Sequence, residues 1–389
     1  MSKFISKDYC YYSIKKVPKR LGQYSNRFQS SLLVLIAILL LGIGIASAQT
    51  NVPIETKTLD ELYQEALEEG GNLVIWAGGD KPDQFDYMKD LFKARFPGIE
   101  VKSTVDLSKY HDARFDNLIE MGGVLPDILQ LQTLHDYDYW KIKGLLLNYK
   151  PASWDQLYPQ FNDPEGAFLG AFAVTFANYV NLDIVPHNKI PREAKDYLDP
   201  SLKGKLILTY PHDDDAVTYQ FKLLKDQFGW EYIKKLIAQD PVWVRGTSMP
   251  YVAITNGWYG ASFTTSWAFV QWPGINAEFN VPKKDQYLTW VQTVAIPKDA
   301  PNQKAAKLYV NWITSKDFQS KWLQYPIRKD VKSPGGYGRL VDQKNTDPVA
   351  FEKWMDNRAE IERFRAQLEV LIGPAVGVSP LELDYDTKP

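Results

Sequence analysis

The chain has 389 residues, 45% hydrophobic and 24% charged, which excludes a disordered chain and suffices for two domains of ordinary size. Its single cysteine, Cys10, sits in a basic N-terminal segment, so from residue 49 onward there is no disulfide, thiolate nucleophile or Cys-ligated metal. Seven of the 45 bases and one of the 47 acids lie in that segment; without it the net charge is −8, which argues against nucleic acid or an anionic membrane as partner and favours a cationic or metal ligand.

Residues 1–48 read as a secretory signal. A basic start is followed by the apolar run Leu32 to Ile45, shorter than the ~20 residues of a spanning helix, and then by Ala46-Ser47-Ala48, where cleavage is expected. An uncleaved anchor is the alternative, and a lipid-modified cysteine is excluded. Thr58-Leu-Asp-Glu61 has capping-box spacing, and Leu59, Leu62, Tyr63, Ala66 and Leu67 continue at helical period until Gly70-Gly71. Asn72 to Trp76 is a strand, apolar as a buried parallel strand should be. Phe85 to Phe96 is a helix, Ile99 to Val105 a strand, Tyr110 to Met121 a helix, Asp127 to Leu131 a strand and Leu134 to Lys143 a helix. This α-β alternation is the mark of an open α/β sheet. Phe168 to Val180 is a long apolar run, read as a crossover to a second unit. There, Gly204 to Leu208 is a strand, Asp214 to Phe228 and Tyr232 to Ala238 are helices, and a strand beginning at Trp243 breaks at Gly246. Val252 to Tyr259 and Ser262 to Phe269 follow as further strands. Tyr287 to Ile296 is the return strand, Lys304 to Ser315 and Asp317 to Gln324 are helices, and Asn345 to Gln367 holds one or two more.

Several phrases in this order resemble the type 2 periplasmic-binding fold, in the extracellular solute-binding branch that includes ferric-iron, thiamine and polyamine receptors of ABC importers. They are Leu59-Asp-Glu-Leu-Tyr63 through Gly71, Leu73-Val-Ile-Trp76, Phe96-Pro-Gly-Ile-Glu-Val101, Pro126-Asp-Ile-Leu-Gln130, Gly144-Leu-Leu-Leu147, Leu198-Asp-Pro-Ser-Leu-Lys-Gly-Lys-Leu206 and Ala305-Ala-Lys-Leu-Tyr309. The resemblance implies two α/β lobes, each a mixed sheet flanked by helices, joined by a two-strand hinge. The expected division is a first lobe over 49–172, a second over 173–286, and a return to the first over 287–389 that ends in a helical extension long for the family. Ferric-binding members often carry adjacent tyrosines in the returning part; here Tyr287, Tyr309 and Tyr325 are never neighbours in sequence.

Candidate ligand residues lie at strand-to-helix turns, where open α/β sheets place their ligands. Gly79 and Asp80 follow the first strand. Tyr110 and His111 open the third helix, and Gln132 and Thr133 follow a strand end. His212, Asp213 and Asp214 belong to the densest constellation, Tyr210-Pro-His-Asp-Asp-Asp215. Three successive carboxylates repel unless a cap, water or cation relieves them, so the cluster suits either a helix start or a cation. Arg245 offers a fork for an anion, with Thr247 beside it. Trp267, Tyr287 and Trp290 can pack on an organic ligand or belong to the core. If a metal binds, His111, His212 and Asp214 are its candidates; no cofactor is otherwise expected.

These readings predict an exported, monomeric receptor that captures a small ligand by hinge closure and delivers it to an ABC-type permease in the periplasm or outside the cell. The ligand is ferric iron or a small charged organic solute. An exported metal-dependent hydrolase is the alternative, but the four histidines form no His-x-x-x-His pair and no Gly-x-Ser-x-Gly elbow is present. A ligand sensor on the same fold is a third reading.

Overall fold

The computed structural model describes residues 52–389 apart from Trp267. The expected signal segment, with Cys10, and the ring of Trp267 therefore lie outside the described residues. No helix among the described residues is long and apolar enough to cross a membrane.

Helix α1 (Leu59–Glu69) carries the capping box that its sequence predicts: the Glu61 N–H donates to the Thr58 hydroxyl, and the Thr58 N–H donates to the Glu61 carboxylate. Then come β1 (Asn72–Gly78), α2 (Asp86–Arg95), β2 (Glu100–Asp106), α3 (Ser108–Met121), β3 (Ile128–Leu131) and α4 (His135–Ile142). The apolar crossover run is two strands, β4 (Leu169–Thr175) and β5 (Ala177–Asn181), interrupted at Phe176.

The second unit contains β6 (Ile207–Thr209), α5 (Asp215–Ile237), β7 (Val242–Val244), α6 (Ser248–Thr255), β8 (Ala261–Thr265) and β9 (Ala277–Asn280). Helix α5 is broken at Gly229, whose φ of 74° is open only to a residue without a Cβ strain penalty. The chain returns through β10 (Thr289–Ala295) and continues into α7 (Gln303–Ile313), α8 (Lys316–Lys321), α9 (Ala350–Met355) and α10 (Arg358–Ile372).

The first sheet has the order β2-β1-β3-β10-β4. β1 is parallel to both its neighbours, and β10 is antiparallel to both of its own. In the second lobe β8-β5-β9 is antiparallel and β6-β7 parallel, and a parallel bridge from Leu206 to Ala261 connects the two groups. The resulting order, β7-β6-β8-β5-β9, repeats that of the first sheet. In each sheet the antiparallel insert arrives from the other lobe: β5 directly after β4, β10 directly after β9. The two passages touch, with the Phe176 N–H donating to the Leu288 carbonyl at 3.0 Å. The molecule is thus a two-lobe α/β protein with a two-segment hinge.

Each lobe has its own core. Leu73, Ile75, Phe92, Phe96, Val294, Leu308 and Trp312 fill the first. Val180, Leu206, Leu208, Phe221, Leu224, Ile233 and Phe263 fill the second. β10, α7 and α8 pack with the first sheet, whereas α9 and α10 join the core of the second lobe through Phe351, Ile361 and Leu368. Chain order alone attaches these last helices to the return segment; their apolar faces find Tyr219 and Trp230 of α5 instead.

Candidate functional site

A cavity of about 640 Å3 lies between the lobes. From the first lobe it is walled by the turn after β1 (Gly78–Asp80), the start of α3 (Ser108) and the turn after β3 (Gln132, Thr133). From the second it is walled by the turn after β6 (Asp213–Asp215), the turn after β7 (Thr247, Ser248) and the end of β8 (Thr265). Parallel strands thus point their C-terminal ends into one space from two sides. The hinge strands supply the back wall, with Phe172 and Val174 from β4 and Trp290 and Gln292 from β10. Close backbone approach shapes the first-lobe wall: a Cβ on Gly78 would stand 2.1 Å from Ser108 Oγ, which accepts the Gln132 N–H at 3.0 Å.

Seven of the twelve residues that the sequence points to line this space: Gly79, Asp80, Gln132, Thr133, Asp213, Asp214 and Thr247. Asp80 is only 6% exposed and reaches across the cleft. Its carboxylate accepts the Thr247 N–H, the Thr247 hydroxyl at 2.9 Å and the Ser248 hydroxyl. The acidic triplet is relieved in three ways. Asp213 takes a two-point ion pair from Arg245 (2.8 and 3.3 Å). Asp214 caps α5 by accepting the Val217 N–H at 2.9 Å, and burial pushes its carboxyl up to about 6. Asp215 binds Arg358 (3.2 Å) and Arg365 (2.7 Å) of α10.

The other five residues lie elsewhere. The Arg245 fork is closed by Asp213 and also reaches the Gly377 carbonyl at 3.4 Å. His111 is fully buried, stacked on Trp76 at 5.1 Å with Nε2 3.2 Å from the Thr104 carbonyl; burial lowers its pKa to about 4. Tyr110, beside it on α3, is 45% exposed. His212 meets the edge of the Tyr210 ring, and neither of its ring nitrogens has a hydrogen-bond partner. Tyr287 is buried with its hydroxyl 3.3 Å from that of Tyr325, and burial pushes it up to about 12. The described residues contain no group of three or more His, Cys, Asp or Glu side chains that could hold a metal ion, so His111, His212 and Asp214 do not form the metal set expected of them. The reason is local: α3 turns His111 toward the sheet, while Asp214 is committed to its helix cap.

Residues without a signal of their own in the sequence complete the walls. Phe85, which precedes α2, Met88 of α2, Phe176 in the hinge, Trp322 and Gln324 after α8, and Arg365 of α10 all face the cavity. Trp290 belongs to both core and site: its ring packs edge-on against Phe176 at 5.2 Å and also forms cavity wall.

Residues 125–327, more than half of the chain, match the family model described as bacterial extracellular solute-binding protein. The chain belongs to this family. Solved structures share the architecture of this solute-binding protein at low identity. Iron-bound HitA from Pseudomonas aeruginosa is 17% identical with a TM-score of 0.58, over 76% of this chain and 99% of that one. The substrate-binding protein of an ABC transporter from Agrobacterium tumefaciens is 16% identical with a TM-score of 0.64, over 77% and 94%. AfuA from Actinobacillus pleuropneumoniae, with fructose-6-phosphate bound, is 19% identical with a TM-score of 0.62, over 79% and 100%. No curated protein matches the sequence.

A carboxyl pair beside the cleft is expected to make the stability of the solute-binding protein depend on pH. Asp112 of α3 and Asp136 of α4 face each other next to Thr133. Burial, then each other's charge, raises Asp136, and burial raises Asp112, so the pair keeps a proton that free carboxyls release at about pH 4. Above that pH the unfolded chain binds fewer protons than the folded one, and stability falls as pH rises until the folded pair also ionises. Asp136→Asn keeps a donor toward Asp112 and removes the titration. The variant is expected to melt ~2–5 °C above the parent at pH 8 and to lose that advantage at pH 5. Calorimetric Tm values at the two pH values check this; an equal difference at both would rule out a shared proton.

Proposed function

We propose that this chain is the capture receptor of an ABC importer, which closes its lobes over a small neutral or cationic organic solute and releases it to the membrane permease. The observation that carries this reading is the cavity at the strand ends of both lobes. Its volume of about 640 Å3 suits a small organic molecule rather than a bare ion. Its walls are rich in aromatic rings, including Phe172, Phe176, Trp290 and Trp322, on which planar or cationic groups stack. The lining holds five carboxylates (Asp80, Asp83, Asp213, Asp214 and Asp215) against three cations (Lys81, Lys109 and Arg365).

Neither cargo printed for the similar structures is favoured. Tyrosinate ligation of ferric iron needs ionised phenols open to the cleft, whereas Tyr287 and Tyr325 are buried and kept neutral by that burial. A sugar phosphate would bring its dianion to an acidic lining. In this reading residues 1–48 direct export. The bodies that move are 52–175 with β10, α7 and α8, and 177–286 with α9 and α10; the division expected at 172/173 shifts to Phe176 because β4 stays paired with β10 through Thr175. The expected partner is an ABC permease, met by a monomer in the periplasm or outside the cell.

Native mass spectrometry of gently purified protein should show one organic solute per chain, and small-angle scattering should show expansion once the solute is dialysed away. A stoichiometric iron atom with no organic mass, or turnover of the bound molecule, would overturn the reading.

A further inference from the structure

Three donors converge in the cleft on one point: the Thr247 N–H, the Thr247 hydroxyl and the Ser248 hydroxyl. All three belong to the turn after β7 in the second lobe. Donors so grouped form a seat for a carboxylate or a phosphate. The anion they hold is the protein's own, the Asp80 carboxylate, offered by the turn after β1 in the opposite lobe.

The arrangement is braced from every side. Behind the donors, Thr209 Oγ1 donates to the Gly246 carbonyl at 2.8 Å and Thr265 Oγ1 to the Thr247 carbonyl at 2.7 Å, which fixes the backbone of the seat. Gly246 has φ 76°, and a Cβ there would stand 2.7 Å from Pro380 Cβ and 3.1 Å from Asp80 Oδ2, so the backbone comes close to the carboxylate only because no side chain intervenes. On the Asp80 side, its N–H donates to Gln84 Oε1 at 2.8 Å. The C-terminal tail closes over the junction: Tyr385 donates to the Asp80 carbonyl at 2.8 Å, and the Lys81 ammonium lies 5.3 Å from the Tyr385 ring centre.

We propose that Asp80 is a specificity-determining residue: a built-in anion that fills this three-donor seat from the opposite lobe as the cleft closes, and so excludes ligands that present a carboxylate or phosphate there. This rests on the receptor reading of the cleft. A ligand anion at Thr247 and Ser248 would stand within a few ångströms of the Asp80 carboxylate, and two like charges at that distance cannot both remain ionised without a large penalty. A neutral or cationic solute meets no such barrier, and the interlobe bonds of Asp80 give it a closed state whose ends are already joined. The AfuA likeness thus extends to the fold while the seat selects against that kind of cargo.

The test uses inorganic phosphate as probe, with calorimetric titration and Tm measured in parallel on the chain lacking residues 1–48. The parent is expected to show no phosphate heat and no Tm change. Asp80→Ala, its three donors left without an acceptor, is expected to gain phosphate binding in the millimolar range or better, at least ~100-fold tighter than the parent. Asp80→Ala/Thr247→Ala/Ser248→Ala is expected to lose that gain. A folded Asp80→Ala that binds no phosphate overturns the proposal, and so does a parent that binds phosphate as tightly as the variant. The parent's own measurement does not depend on the folding of any variant, so a submillimolar phosphate affinity in the parent alone is enough to sink the idea. The receptor reading is read separately, from the organic solute carried by the parent.

Discussion

Ending the chain at Asp347, and so removing α9, α10 and the tail, is expected to abolish folding of the second lobe. Six apolar side chains leave the core in that truncation: Phe351, Trp354, Met355, Ile361, Phe364 and Leu368, all buried against the second-lobe cluster. At about 1.5–3 kcal/mol for each buried side chain the loss is at least ~9 kcal/mol, as large as the whole net stability of an ordinary domain. The truncation also strips Asp215 of both its arginines, Arg358 and Arg365, and leaves a largely buried carboxylate without a counter-charge. Far-UV circular dichroism and soluble yield of the truncated chain check this. A truncated protein with the parent's cooperative melt would show that the two helices only decorate the surface. The C-terminal helices pack into the second-lobe core, and through Met355 and Arg365 they also line the candidate site.

The regular elements of the first lobe were legible because local and tertiary signals agree there. Thr58 and Glu61 announce α1, and the bonds they make are the ones their spacing predicts. Leu73 to Trp76 reads as a parallel strand because both faces of β1 are covered, and the structure pairs it on both sides. Where the signals part, the sequence misleads. Val252 to Tyr259 carries β-type residues, yet α6 runs over Ser248–Thr255 because its apolar side chains Met249, Ala253 and Ile254 pack around Val244 and Tyr259. Strand β9, Ala-Glu-Phe-Asn, alternates over only four residues, too short a run to stand out in the sequence; pairing with β5 fixes it as a strand.

The site divides in the same way. Polar residues at strand ends, such as Asp80, Gln132 and Thr247, could be found from sequence because a polar side chain after a buried strand has a reason to be there. Trp290 could be named only as ligand contact or core, and Phe172 not at all, since a ring inside a strand looks the same whether it faces core or cavity. Arg245 and Tyr287 show the converse. Their chemistry suits a ligand, but Asp213 lies 32 residues from Arg245 in the chain and Tyr325 lies 38 residues from Tyr287, and both pairings exist only in the folded molecule.

Replacing Asp127 by alanine is expected to cost ~3–5 kcal/mol, a large share of the net stability of an ordinary domain. Asp127 is fully buried between β1 and α7. Its carboxylate accepts the Val74 N–H at 2.7 Å, the Asn302 N–H at 2.7 Å and the Asn302 side-chain amide at 3.0 Å, while its own N–H donates to the Val74 carbonyl at 2.8 Å. Alanine retains only the last of these and leaves two part-buried backbone donors without an acceptor, which costs more than the bonds themselves contributed. The milder Asp127→Asn keeps one acceptor oxygen and should lose roughly half as much. Differential scanning calorimetry checks the order, with a Tm lowered by at least ~5 °C for Asp127→Ala. Solute affinity of the folded fraction should stay at the parent's value, because the clasp holds β1 far from the end that carries Gly78 to Asp80. If Asp127→Ala melts with the parent, the Val74 and Asn302 amides find other partners, and the clasp is not what seats α7 against the sheet.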